Sequence, residues 1–526
     1  MKSELKNYAE RFLKFLENSP ARVFAFFLFC NAVLLWPVIL NPPVWDEAFS
    51  IFPAADFLAT HGFDYRLLMR QPGFVEAGPT THGLTLPAFY TAVVLKLTGG
   101  GEIAWCILHL WQWLLGAGIG TLLVRILTKT HGLAKALLLA GLSLYCPLML
   151  TQLGNMYLEV PLLFFCLLSL YYFLENRIGL AASVGVLACA TKETGFVAMI
   201  ALAMTHLLCQ KPNRKNILTG VELLAPSFMF LIFLHWFQRG TGADLAVSDT
   251  PTFTRCWIFL VQAYKKYLAM MPDMLALFVI SLVVATVQVV RIPLGSWLRK
   301  EGNNSLQRTR LICFCSLLVL GFSSFHFVVW AIFADLSNFA SRYLVFILPA
   351  MWLLLEVTLE RFVNNVTRRQ WILAIFLGLL LLNRYGTFYP PLITSDIGVA
   401  ERSNENRDGF RVQQDYMRFW EQRLPADVPV FHGLPEAYLA KYPVLGYVTK
   451  PLTNATFVTH YVARHGAKLD QFPDRFYILY FFPIVGSNQL LDVYHEALKR
   501  PDWRTEDVAT FSHGGFKAFI VLLERR

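Results

Sequence analysis

Residues 178–208 read IGLAASVGVLACATKETGFVAMIALAMTHLL, an apolar run broken by Lys192 and Glu193 near its middle. It is too long for a single crossing of about 30 Å of hydrocarbon, so it predicts two short helices split at Thr191 to Gly195. Comparable stretches flank it: Val23 to Leu40, Ile103 to Leu127, Leu133 to Leu150, Tyr157 to Leu174, Ile217 to Trp236, Pro272 to Val290, Leu311 to Phe333, Tyr343 to Leu359 and Trp371 to Leu382. Together they predict about eleven spans. The whole chain agrees, since 526 residues at 56% hydrophobic and a mean hydropathy of +0.47 require a bilayer as main solvent.

Basic residues set the orientation. Lys2, Lys6, Arg11, Lys14 and Arg22, then Arg125, Lys129 and Lys135, then Lys211, Arg214 and Lys215, then Arg291 to Arg310, then Arg361 to Arg369 fall on one side if residues 178–208 cross twice. That side is expected to be the cytoplasm. A bacterial inner (plasma) membrane then has the N-terminus cytoplasmic, with loop 42–101 and the tail after about Tyr389 periplasmic. The net charge of +10 is explained by these short links, which speaks against nucleic acid as a partner. The run from Val23 to Leu40 has no small-residue cleavage site and is expected to stay attached as an anchor. The nine cysteines form no CxxC or Cys/His metal spacing and read as small buried hydrophobes.

After residue 390 the charge rises and the apolar runs shorten. Val428 to His432 and Phe476 to Phe482 predict strands, and Gln413 to Gln422 predicts a helix. The expected fold class is thus an α-helical polytopic membrane domain over 1–390, with outer loop 42–101, followed by a soluble exoplasmic α/β domain over 391–526. No glycine-rich phosphate loop, nucleophile elbow or internal repeat is found.

Four polar places could carry chemistry. In NPPVWDEAFSIF, Asp46 and Glu47 follow Pro42 and Pro43, and Trp45, Ala48, Phe49, Phe52 and Phe57 have the spacing of an amphipathic interfacial helix. The two acids either cap that helix and favour its positive end or offer a base at the rim of a membrane cavity. His82 opens a second such segment, as helix starter or as a secondary site residue. Lys192 and Glu193 interrupt apolar sequence, where a charge costs at least about 2.5 kcal/mol, so they either pair with each other or face a cavity. Arg342 stands at the mouth of a span, either snorkelling to lipid headgroups or gripping a phosphate, with Asp335 close enough in sequence to orient it.

Together these features resemble the GT-C superfamily, in the branch of protein O-mannosyltransferases and lipid A aminoarabinose transferases. The matching pieces are Asp46-Glu47 after the first span, His82 to Tyr90 beside that family's H-x-P-P-L-x-Y, T-K-x-x-G at Thr191 to Gly195, and R-Y-L-x-x-x-x-P at Arg342 to Pro349. One departure is His82-Gly83-Leu84-Thr85, with Pro87 displaced. The resemblance covers about the first 390 residues. It implies a membrane glycosyltransferase that moves one sugar, hexose or pentose, from a polyprenyl-phosphate donor to an acceptor lipid, glycan or protein at the periplasmic face, with inversion. It implies Asp46 and Glu47 as catalytic acids and Lys192 and Arg342 as donor-phosphate ligands, leaving His82, Glu193 and Asp335 as secondary candidates. No cofactor or metal is required, although the acid pair could hold a divalent cation weakly. Other readings are a lipid-linked sugar flippase or transporter and a noncatalytic envelope scaffold.

Overall fold

A computed structural model of the chain describes residues 2–17, 19–43, 47–71, 85–210, 213–238, 271–296, 303–325, 341–389, 401–482 and 488–526. The chain packs as two compact units, one of Met1–Pro37 with Leu110–Tyr389, the other of Val38–His109 with Pro390–Arg526.

The first unit is a polytopic helical membrane region. Six helices among the described residues are long and apolar enough to cross a bilayer: Pro20–Val38, Gly101–Leu127, Arg214–Leu234, Pro272–Arg291, Ser305–Ser324 and Arg342–Phe362. A seventh arises if Leu133–Tyr145 and Pro147–Gly154, bent by 64°, form one span. This corrects the expected count of about eleven. Apolar content was counted correctly, but much of it lies in short helices. Glu159–Leu174 has 16 residues, Ile178–Thr191 has 14 and Gly195–Cys209 has 15, or about 21–24 Å at 1.5 Å per residue. The bend at Cys146 has a local cause: its backbone is extended, and Pro147 opens the following helix, where a missing N–H does no harm.

The helices flanking Lys192 do form the expected hairpin. A Cβ at Gly195 would lie 2.7 Å from the Ala188 carbonyl carbon, so only glycine lets the second helix start this close to the end of the first.

Basic residues from separate links converge at one end of the unit. Lys135 donates to Glu356 at 2.6 Å and to Glu360 at 3.3 Å. Arg369 lies 3.5 Å from Glu356 and 3.1 Å from Glu360, and Arg308 also pairs with Glu360. Glu356 is fully buried. Four helices, Leu133–Tyr145, Asn303–Ser324, Leu348–Phe362 and Val366–Leu382, are thereby clamped together.

The second unit contains a five-stranded mixed sheet, β1 Val430–His432, β2 Ala455–Phe457, β3 Arg475–Phe482, β4 Trp503–His513 and β5 Phe516–Arg525, in the order β2-β1-β3-β5-β4. β1 is parallel to β2 and β3, whereas β5 is antiparallel to β3 and β4. The two expected strands and the expected helix are present, the latter as Arg407–Arg423. Phe431, Phe476, Ile478, Leu490, Trp503 and Leu523 form the core on one face.

The outer loop belongs to this same unit. It forms a π-helical turn Glu47–Ile51, the helix Phe52–Thr60 and the helix Leu86–Thr98. Ala48, Phe49 and Phe52 are at most 5% exposed and Phe57 is half-buried, so protein covers most of the described part of the face expected to lie in the interface. Thr85, not His82, caps Leu86–Thr98, accepting from the Ala88 N–H at 3.4 Å.

Truncating Glu356 to Ala strips a buried carboxylate from two cations and should destabilise the unit by about 3–5 kcal/mol. A fall in the thermal midpoint of the solubilised chain would show it, and Glu356→Met with Lys135→Met should recover much of the loss. An unchanged midpoint in the single variant would remove the clamp.

Candidate functional site

The helix Glu159–Leu174 starts with a carboxylate in its first turn, where the positive end of the helix favours it. Glu159 is 2% exposed, deep enough that its charge needs a partner. Two partners arrive from distant sequence. Lys192 ends the helix Ile178–Thr191 in an extended conformation and donates from Nζ to Glu159 Oε1 at 2.7 Å. Arg342, on the 3-10 segment Ser341–Ile347, places Nε 3.6 Å from the same oxygen. The Lys192 ammonium lies 4.4 Å from the centre of the Tyr343 ring, and the Arg342 guanidinium lies 5.1 Å and 5.4 Å from the Tyr157 and Tyr343 rings. Aromatic faces attract cations, and desolvation strengthens that attraction.

Two cations from separate pieces of chain are thus gathered on one buried carboxylate. Guanidinium and ammonium groups held this close together are the usual partners of phosphate. The same helix fixes the site's location along the unit. Its other end, Glu175, pairs with Lys129, so the cluster lies at the end opposite the basic links.

Below the cluster is a small apolar pocket. Leu163, one turn past Glu159, and Phe346, in the segment of Arg342, line it together with Leu167, Phe314 and Leu353.

The sequence candidates fall as follows. Lys192 and Arg342 are brought together. Lys192 pairs with Glu159, not with its neighbour Glu193, which is exposed, and Arg342 is buried rather than snorkelling. Asp46, His82 and Asp335 lie outside the described residues. Glu159 was missed, although an acid at the head of the Tyr157 to Leu174 run is itself a signal, because ionisable residues in such runs are rarely idle.

Glu47 is fully buried in the second unit. Burial and the Glu47 carboxylate both oppose ionisation of Tyr90 and Tyr447. Glu47 thus lies in a buried polar core with these tyrosines. A second buried acid stands in the same unit: Glu436 accepts from the Tyr416 hydroxyl at 2.6 Å, and burial pushes its carboxyl up to about 7. Nearby, His432 is pushed down to about 4 by burial while it bonds the Gly433 carbonyl at 2.8 Å. Among the described residues no group of three or more His, Cys, Asp or Glu is arranged to hold a metal ion.

No described protein family and no curated protein matches the chain. Among solved structures it is similar to ArnT from Cupriavidus metallidurans bound to undecaprenyl phosphate, at 11% identity and a TM-score of 0.42 over 94% of this chain and 97% of that one. It is similar to an oligosaccharyltransferase from Archaeoglobus fulgidus at 13% identity and a TM-score of 0.44, over 80% of this chain and 57% of that one. It is also similar to the arabinofuranosyltransferase AftD from Mycobacteria at 14% identity and a TM-score of 0.37, over 95% and 39%. At these values the likenesses carry neither residue roles nor an activity to this chain.

The Glu436 carboxyl, raised from 4.5 to about 7, makes folding favour its protonated form. Its contribution is complete below the unfolded value and is lost as pH rises through about 7, up to about 3 kcal/mol. His432 slopes the other way between about 4 and 6.5, so the readout is the difference between wild type and Glu436→Gln across pH 4.5–7. Relative to the variant, the wild-type thermal midpoint should fall as pH rises. Parallel curves would show that Glu436 titrates normally.

Proposed function

We propose that this chain is a membrane glycosyltransferase that takes a single sugar from a polyprenyl-phosphate carrier. The observation that carries this reading is the buried Lys192–Glu159–Arg342 cluster, which brings an ammonium and a guanidinium together beside a small apolar pocket. A lipid-linked phosphate has the matching shape, an anion joined to a long apolar chain. The motif resemblance at Thr191 to Gly195 and Arg342 to Pro349 supports the same assignment.

In the reaction, the acceptor oxygen attacks the anomeric carbon and the bond from that carbon to the phosphate oxygen breaks. The electron pair leaves with the polyprenyl phosphate, and the configuration inverts. Lys192 and Arg342 stabilise the charge that grows on the departing phosphate, and Glu159 holds both cations in place before the donor arrives. The acceptor proton passes to a carboxylate, a role we give to Asp46, since Glu47 is buried. The positive-inside rule makes the basic end cytoplasmic, so the phosphate cluster serves the outer leaflet. The acceptor is a hydroxyl or phosphate on an envelope lipid, glycan or protein.

The test is turnover by the purified full chain in lipid nanodiscs, followed as release of free polyprenyl phosphate from polyprenyl-phosphate sugars. A flippase or a scaffold releases none. Removing a preorganised charge from the leaving group should cost about 10²–10³-fold, so Arg342→Ala and Lys192→Ala should lose that much kcat. Glu159→Gln should lose less and show a raised KM, because it frees the cations without removing them. Asp46→Asn should lose turnover while still binding donor. Full activity in both Arg342→Ala and Lys192→Ala would end this reading.

A further inference from the structure

Four carboxamides of the helical unit are almost completely shielded from solvent: Asn31 and Gln152 at 0% exposure, Gln112 at 1% and Asn155 at 4%. Among the described residues, Asn31 Oδ1, Gln112 Oε1, both Gln152 amide atoms and Asn155 Nδ2 have no hydrogen-bond partner. An amide atom left unbonded in an apolar interior costs one to several kcal/mol, and the hydrocarbon around a membrane helix supplies no water to relieve it. Isolated cases occur in most structures. Here they gather in one place.

The contacts show how they gather. Gln112 Nε2 donates to the Tyr157 carbonyl at 2.9 Å, and Asn31 Nδ2 donates to the Trp113 carbonyl at 2.9 Å. Gln152 and Asn155 lie on the stretch that runs from the helix Pro147–Gly154 into Tyr157. Gly116 closes the group, since a Cβ there would meet Leu153 at 2.6 Å and Asn31 Nδ2 at 2.9 Å. Tyr157 is also the ring over which the Arg342 guanidinium stands at 5.1 Å. Gln112 is therefore joined to the cation cluster through Tyr157.

The kinds of unsatisfied atoms identify the ligand chemistry. Phosphate would call for donors alone, and a cation for acceptors alone. This group offers both, and it still does if any amide is turned end for end, because both atoms of Gln152 are unbonded. Sugar hydroxyls, each donor and acceptor at once, are the matching groups.

We propose that Asn31, Gln112, Gln152 and Asn155 form the pocket that receives the hydroxyls of the donor sugar, beside the cations that take its phosphate. This rests on the donor-phosphate reading above. The experiment measures binding of bare polyprenyl phosphate, polyprenyl-phosphate glucose, polyprenyl-phosphate mannose and polyprenyl-phosphate arabinose to the full chain in nanodiscs. At least one glycosylated lipid should bind about tenfold tighter than the bare one. Gln152→Leu should abolish that gain while leaving bare-lipid affinity within about twofold. Its thermal midpoint without ligand should hold or rise, because an unbonded amide is removed, and Asn155→Leu serves as a second variant should the first fold poorly. Retention of the glycosylated preference in both variants overturns the proposal, as does the absence of any such preference in wild type, in which case the amides hold only water. Failure of wild type to bind even the bare lipid, or binding indifferent to Arg342→Ala, overturns the phosphate reading and this pocket with it.

Discussion

A charge in the interior of a membrane protein needs an opposite charge or a polar partner, because neither hydrocarbon nor packed side chains solvate it. Glu159 meets that need for two cations at once, bonding Lys192 and lying 3.6 Å from Arg342. Three separate pieces of chain, the head of Glu159–Leu174, the tip of the helical hairpin and the 3-10 lead-in to Leu348–Phe362, are held in register by this one carboxylate. One acid shared by two bases keeps both cations compensated although they come from distant sequence.

The opposite end of the unit uses the same chemistry in another proportion. There Lys135, Arg308 and Arg369 meet Glu356 and Glu360. Leu348–Phe362 links the two clusters, with Arg342 ahead of its first turn and Glu356 and Glu360 in its last turns. The apolar cavity borders this helix through Pro349, Ala350 and Leu353.

The second unit solves a different problem. Its outer-loop helices are too apolar to stand in water, and the protein itself covers them. Glu47 and Glu436 are buried beside tyrosines. A phenol can share a proton with a carboxylate without bringing a full charge indoors, so burial raises Glu436 toward neutrality rather than forcing an ion pair.

The amino-acid sequence alone determined that this chain lives in a bilayer, that residues 178–208 fold back on themselves near Lys192, that basic links gather at one end, and that a sheet domain follows. These are consequences of composition and spacing, which act locally. It also marked Lys192 and Arg342 as places where charge breaks apolar sequence. What only the tertiary structure decided is partnership. Lys192 turns from adjacent Glu193 to Glu159, 33 residues away, because the chain is extended at Lys192 and the head of another helix is packed beside it. Four amides unremarkable in the sequence become a group for the same reason: burial and proximity belong to packing between helices, and no local pattern of residues encodes them.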